Sequence, residues 1–142
     1  MPLTTFGSIL NFAEELETRD LAFYEKVAAN PACIALKDLF TQFAADAIKN
    51  QKSVRRTRRE NVTEMILEPI QGFTRNPFCE ACEGAETLSA DEALAAARRL
   101  EERAHRYYKE AAGKIKALPE VSRALRQIGK TRAAHIDKIE AV

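Results

Sequence analysis

Hydrophobic residues recur along this chain with the spacing of α-helices in four separate segments. The last segment opens at Pro119, a residue suited to a first helical turn, and runs to the C-terminal residue. Its seam positions step alternately by four and three residues, at Val121, Leu125, Ile128, Arg132, His135, Ile139 and Val142. This alternation predicts a helix that packs along a partner helix through one continuous seam.

Three earlier segments are bounded by residues that begin or end helices. Asn30-Pro31 ends the first segment, because the residue before a proline disfavours helical geometry, and Pro69 limits the second. Ser89 and Glu92 have the spacing of a capping box at the start of the third. The predicted helices cover about residues 8–29, 32–67 and 89–117.

The seams of these helices repeat along the chain. The second segment carries the seam of the fourth 85 residues earlier, at Leu36, Phe40, Phe43, Ala47, Asn50 and Val54. The first and third segments match at an offset of 84, with one stripe at Leu10, Glu17, Leu21, Tyr24 and Ala28 and the other at Leu94, Ala97, Glu101, Tyr108 and Ile115. We therefore predict an all-α, antiparallel four-helix bundle in one domain, residues 1–142. Two duplicated hairpins, 8–67 and 89–142, are joined by a long crossover, 68–88.

The composition limits the classes of function. Hydrophobic residues make up 46% of the chain and charged residues 30%, a balance typical of soluble globular proteins. No apolar stretch is long enough to span a membrane, and a formal net charge of +1 gives no overall attraction to nucleic acid. Three cysteines without a disulfide pattern, and no signal-peptide pattern at the start, favour a cytoplasmic location.

A basic run in the second segment is the main feature that could attract nucleic acid. It consists of Lys49, Lys52, Arg55, Arg56, Arg58 and Arg59. No aromatic residues alternate with these cations, and acidic residues on neighbouring helices can neutralise them. The run is therefore interpreted as a solvated helix face, and nucleic-acid binding is not expected.

Polar residues interrupt all four seams near their middle, at Glu17, Asn50, Glu101, Arg132 and His135. A carboxylate in an apolar interior costs several kcal/mol unless it is paired or bound to a metal. Both glutamates could instead lie at the bundle edge with their carboxylates in water. Their duplicated position, seven residues before Tyr24 and Tyr108, favours a buried cluster.

In the positions of these polar residues relative to one another along the four seams, the chain resembles the rubrerythrin branch of the ferritin-like superfamily. The resemblance rests on Glu17 and Tyr24, on Glu101 and Tyr108, and on the aligned stretches 40–50 and 125–135. In that family helices two and four each carry a Glu-x-x-His motif, and the four helices together hold two irons. The resemblance implies the same bundle and, with a complete ligand set, an oxidoreductase acting on peroxide or oxygen.

The chain departs from that family at the ligands. Where Glu-x-x-His is expected it has Ala47-x-x-Asn50 and Arg132-x-x-His135, so Glu17, Glu101 and His135 are the ligand positions that remain. Two carboxylates cannot balance the four positive charges of a di-iron(II) site. An arginine would repel a cation and could bridge both glutamates through its planar guanidinium. We predict a largely lost di-iron site in which Arg132 contacts Glu17, Glu101 or both, with no cofactor.

A smaller metal site is the main alternative. Glu17, Glu101 and His135 could hold one iron, manganese or zinc ion, the ligand set of a metal-dependent oxidoreductase. A shifted register would add ligands from Glu14, Asp20, Asp46 and His105.

A third chemistry would come from thiols. Cys79 and Cys82 form a C-x-x-C motif in the crossover, either a redox dithiol or two unbonded thiols.

The leading prediction for the function is a binding or assembly module. A homodimer is expected because apolar residues in 61–67 extend past the seam and could contact a second copy.

Overall fold

A computed structural model describes residues 5–60, 73, 78, 84, 85 and 87–142 of the chain. These residues form four α-helices, α1 (Phe6–Ala29), α2 (Lys37–Glu60), α3 (Ala90–Lys114) and α4 (Pro119–Glu140), with a 3-10 helix, Pro31–Leu36, between α1 and α2. No β-strand occurs in the described ranges, and the predicted all-α class is confirmed. None of the described helices has the length and apolar character needed to cross a membrane.

Side-chain caps and a proline set the helix ends. Ser89 accepts a hydrogen bond from the Glu92 amide, and the Glu92 carboxylate accepts one from the Ser89 amide, which confirms the predicted capping box. The third helix ends at Lys114, and its predicted extension to Ala117 is wrong. Ile115 leaves helical geometry, with φ −112° and ψ 30°, and the chain turns there to reach Pro119.

The predicted start of the second helix is also wrong, because the chain first makes a tighter helix. Residues Pro31–Leu36 form a 3-10 helix in which Cys33 has non-helical angles, φ −111° and ψ 23°. The side-chain amide nitrogen of Asn30 donates to the backbone carbonyls of Ala85 (3.1 Å) and Leu88 (2.8 Å). These hydrogen bonds connect the corner between α1 and the 3-10 helix to the residues before α3. The predicted continuation through residues 61–67 lies outside the described residues.

The helices pack as two hairpins. α1 packs mainly on α2 and α3 mainly on α4, while α2 contacts α4 and α1 contacts α3. Two apolar clusters form, one including Ile9, Tyr107 and Leu125 and the other including Phe40 and Ala97. Each fully buried large apolar side chain contributes about 1.5–3 kcal/mol to folding. Residues from the middle of the helices form a polar layer between the clusters.

The observed buried face of α1 differs from the predicted stripe. Asp20 and Val27 are 1% and 0% exposed, whereas the predicted seam residues Leu21 and Ala28 are only half-buried. α1 contacts both α2 and α3, so its buried arc is wider than the seam that faces a single partner. The α4 seam is buried as far as Ile139, but Val142 is 66% exposed because it follows the end of the helix.

Candidate functional site

The Arg132 side chain lies at the centre of the polar layer and is 1% exposed. Its Nε and Nη2 donate to Glu17 Oε2 at 3.2 and 3.0 Å, and its Nη1 donates to Glu101 Oε1 at 2.9 Å. Nη2 also donates to Asp20 Oδ2 at 2.7 Å. Burial alone would lower the pKa of Arg132, but the three carboxylates outweigh it and hold the pKa well above its usual range. Arg132 is therefore a permanent buried cation that bridges α1 and α3.

Both carboxylate oxygens of Glu17 accept hydrogen bonds. Besides Arg132, Oε2 accepts from the Tyr108 hydroxyl at 2.6 Å, and Oε1 accepts from the Asn50 amide at 3.0 Å. Burial raises the pKa of Glu17, while the charge of Arg132 and the Tyr108 hydrogen bond oppose that rise. Every one of these neighbours can donate, so the arrangement accommodates the carboxylate form.

Only one of the two carboxylate oxygens of Glu101 accepts hydrogen bonds. Its Oε1 accepts from Arg132, from the Tyr24 hydroxyl and from His135 Nδ1 at 3.0 Å. Its Oε2 is buried without a hydrogen-bond partner. Burial raises the pKa of Glu101, but Arg132 and His135 outweigh that effect and bring it below its usual value.

Two tyrosines cross between the halves of the bundle. Tyr24 of α1 donates to Glu101 of α3, and Tyr108 of α3 donates to Glu17 of α1. Burial, reinforced by the carboxylate that each faces, raises the pKa of both hydroxyls well above the usual range, so they remain donors. The crossed pair reflects the internal repeat of the sequence at the level of individual hydrogen bonds.

His135 links the network to the surface. Its Nε2 lies 2.7 Å from Asp46 Oδ2, its Nδ1 faces Glu101, and Phe43 stacks on the ring with centroids 4.1 Å apart. The imidazolium form satisfies both carboxylates, since both ring nitrogens then donate. Asp46 is 20% exposed, so the chain of polar contacts reaches solvent at α2.

Asp20 and Arg103 belong to the network although the seam analysis did not include them. Arg103 Nη2 donates to Asp20 Oδ1 at 2.6 Å, and both side chains are less than 5% exposed. Asp20, which the sequence offered as an additional ligand, follows Glu17 by three residues and so lies on the same helix face. Arg103 Nε is buried without a partner. In total four carboxylates face Arg132, Arg103 and His135.

These residues do not fit a pair of iron ions. The Arg132 guanidinium lies among the carboxylates, both Glu17 oxygens already accept hydrogen bonds, and both His135 nitrogens face carboxylates. Among the described residues, no three His, Cys, Asp or Glu side chains are arranged to hold a metal ion. Glu101 Oε2 is the one buried carboxylate oxygen in the described part of the chain without a hydrogen-bond partner.

The other predicted candidates lie apart from the network or outside the described residues. Glu14 forms an ion pair with Arg55 at 2.8 Å on the surface, and His105 Nδ1 lies 3.2 Å from the Gly129 carbonyl oxygen. Neither contributes a contact to Arg132. The C-x-x-C motif of Cys79 and Cys82 falls outside the described residues.

Comparison with known proteins identifies the family. A family model described as a ferritin-like domain matches residues 7–142, which is nearly the whole chain. Neither the curated proteins nor the solved structures contain a significant match. With four helices and a polar layer at their centre, the chain belongs to the ferritin-like domain family.

Proposed function

We propose that this chain is a rubrerythrin-like bundle in which an ion-pair network takes the place of a di-iron centre. In this proposal the protein is a binding or assembly module rather than an oxidoreductase, and its interior has a structural role. The position of Arg132 carries the proposal. Its guanidinium contacts three buried carboxylates on α1 and α3 at 2.7–3.2 Å.

The charges of the network support a structural role. A metal bound by Glu17 and Glu101 would have to displace Arg132, whose positive charge opposes a cation at that place. The displaced guanidinium would also leave Asp20 with Arg103 as its remaining ion-pair partner. Replacing these ion pairs with a metal therefore has an electrostatic cost that a site without the arginine does not have.

One observation favours a second candidate, an oxidoreductase with a single metal ion. Glu101 Oε2 is buried without a partner, and His135 lies beside the same carboxylate. Together with Glu17 these groups are the reduced ligand set of iron, manganese or zinc. This function requires Arg132 to move away from both glutamates.

An iron titration of two proteins separates the candidates. The variant carrying Ala47→Glu, Asn50→His and Arg132→Glu restores both Glu-x-x-His motifs. Under anaerobic conditions we expect the variant to bind iron(II) stoichiometrically. The parent protein should bind no iron(II) above the nonspecific background. Stoichiometric iron(II) binding by the parent protein would favour the oxidoreductase.

We further propose a homodimer located in the cytoplasm. The location follows from three cysteines with no disulfide pattern. The dimer is proposed because the apolar residues of 61–67 extend past the seam and could be covered by a second copy.

The candidate redox role of Cys79 and Cys82 is tested separately, by titrating their thiols against a dithiol of known potential.

A further inference from the structure

A concave pocket beside the N-terminal half of α4 has four cations among its seven lining residues. It has a volume of about 280 Å³ and includes Lys116 from the turn before α4 and Arg123, Arg126 and Lys130 from α4. Pro119, Ser122 and Gln127 complete the lining. Among the residues that the structure describes, no acidic residue lines this pocket, although the whole chain is nearly neutral, with 22 basic and 21 acidic residues.

These four cations are without ion pairs in the part of the chain that the structure describes. Some exposed arginines elsewhere pair with carboxylates. Arg55 pairs with Glu14 at 2.8 Å, and Arg98 pairs with both Glu102 and Glu140 at 2.9 and 2.6 Å. The pocket therefore concentrates positive charge that none of the described carboxylates neutralises through an ion pair.

The spacing of the pocket cations is unfavourable for the helix alone. Arg123 and Arg126 are three residues apart, and Arg126 and Lys130 are four apart, so like charges lie next to each other on α4. The N-terminal end of α4, at Pro119, adds the positive end of the helix dipole to the same pocket. Glu120 is the acidic residue in the first turn of α4, and it is not among the residues that line the pocket. A bound anion would reduce the repulsion between the pocket cations and would also interact favourably with the positive end of the helix dipole.

We propose that this pocket binds a small soluble molecule through a phosphate or pyrophosphate group. Arginine presents a planar fork that matches phosphate oxygens, and lysine supplies a mobile point charge. Four cations suit a group with several negative charges better than a single carboxylate. The volume is below that of pockets for drug-sized ligands, so a phosphate-sized group is held while the rest of the molecule extends into solvent. The site is separate from the buried network and does not depend on whether that network replaces a metal.

The test is calorimetric titration with inorganic pyrophosphate at constant ionic strength. The pocket variant is Arg123→Gln with Arg126→Gln, and Lys116→Gln in the turn is a second, independent variant. The matched control is Lys49→Gln with Arg56→Gln, which removes two exposed cations of α2 for the same change in net charge. We expect both pocket variants to weaken binding by at least about tenfold, the factor for one lost charge-assisted hydrogen bond. The control should bind as the parent protein does.

Three results would overturn the proposal. The first is that the parent protein does not bind pyrophosphate. The second is that pocket and control variants weaken binding equally, since this would show nonspecific attraction to a basic surface. The third is that vesicles containing an anionic phospholipid bind while pyrophosphate does not, which would assign the phosphate group to a lipid surface.

Discussion

Replacing Arg132 with alanine removes the cation that three buried carboxylates share. Glu17, Asp20 and Glu101 are each at most 1% exposed, and all three accept hydrogen bonds from Arg132. After Arg132→Ala, Arg103 still contacts Asp20 and His135 still contacts Glu101, but Glu17 has only neutral donors. The variant therefore contains a buried negative charge without a cation.

The expected loss is large for a single substitution. Removing one partner of a buried ion pair costs about 3–5 kcal/mol, against a total stability of about 5–15 kcal/mol for an ordinary domain. For a chain of this size the loss corresponds to a fall in Tm of roughly 6–20 °C. The destabilisation should shrink as the pH falls, because a protonated Glu17 no longer carries the uncompensated charge.

Urea unfolding followed by circular dichroism measures this loss. Arg126→Ala is the control on the same helix, since Arg126 is exposed and its removal should change stability by no more than about 0.5 kcal/mol. Arg132→Lys should fall between the two, because it keeps one charge and loses the planar fork. The argument fails if Arg132→Ala costs no more than the control.

Three further predictions concern the tyrosines, the acid limb of stability and assembly. Tyr24→Phe and Tyr108→Phe should each cost about 1.5–3 kcal/mol in urea unfolding, against about 0.5–1.5 kcal/mol for Tyr107→Phe, whose hydroxyl donates to a neutral carbonyl. Equal losses in all three would contradict this. In the folded protein the pKa of Glu101 lies below its usual value of 4.5, so ionised Glu101 stabilises the fold above pH 4.5. This contribution to stability is lost as the pH falls through the lower pKa of the folded state. Glu101→Gln should therefore lose less stability on acidification over that window, and an unchanged pH profile would count against this. Sedimentation in the micromolar range should show a dimer, and a monomer throughout that range would refute the proposed assembly.

The seams made most of the fold predictable from sequence. Positions Phe40, Phe43 and Val54 of α2 are buried, as are Leu125 and Ile128 of α4, because an alternating step of three and four residues keeps one side of a helix facing its partner. Local chemistry explains where the prediction failed. The 3-10 helix after Pro31 and the early end of α3 depend on backbone geometry near prolines, which hydrophobic spacing does not report.

The site was only partly accessible from sequence. The structure places Arg132 against both Glu17 and Glu101, a contact that follows from two duplicated seams aimed at one layer. Asp20 was named only as a possible metal ligand, and its ion pair with Arg103 was not predicted. Arg103 does not lie on a predicted seam, and charged residues beside a seam are usually solvated. Their burial depends on how α1 and α3 face each other, which requires the three-dimensional packing.

Metal analysis of the purified protein tests the central claim most directly. The protein is produced in cells supplied with iron and manganese, purified without chelator, and analysed for iron, manganese and zinc by mass spectrometry. If Arg132 takes the place of the metal centre, each of the three metals should remain far below one ion per chain. One or more ions per chain in the parent protein, together with the loss of those ions when Glu101 is changed to Gln, would contradict the account.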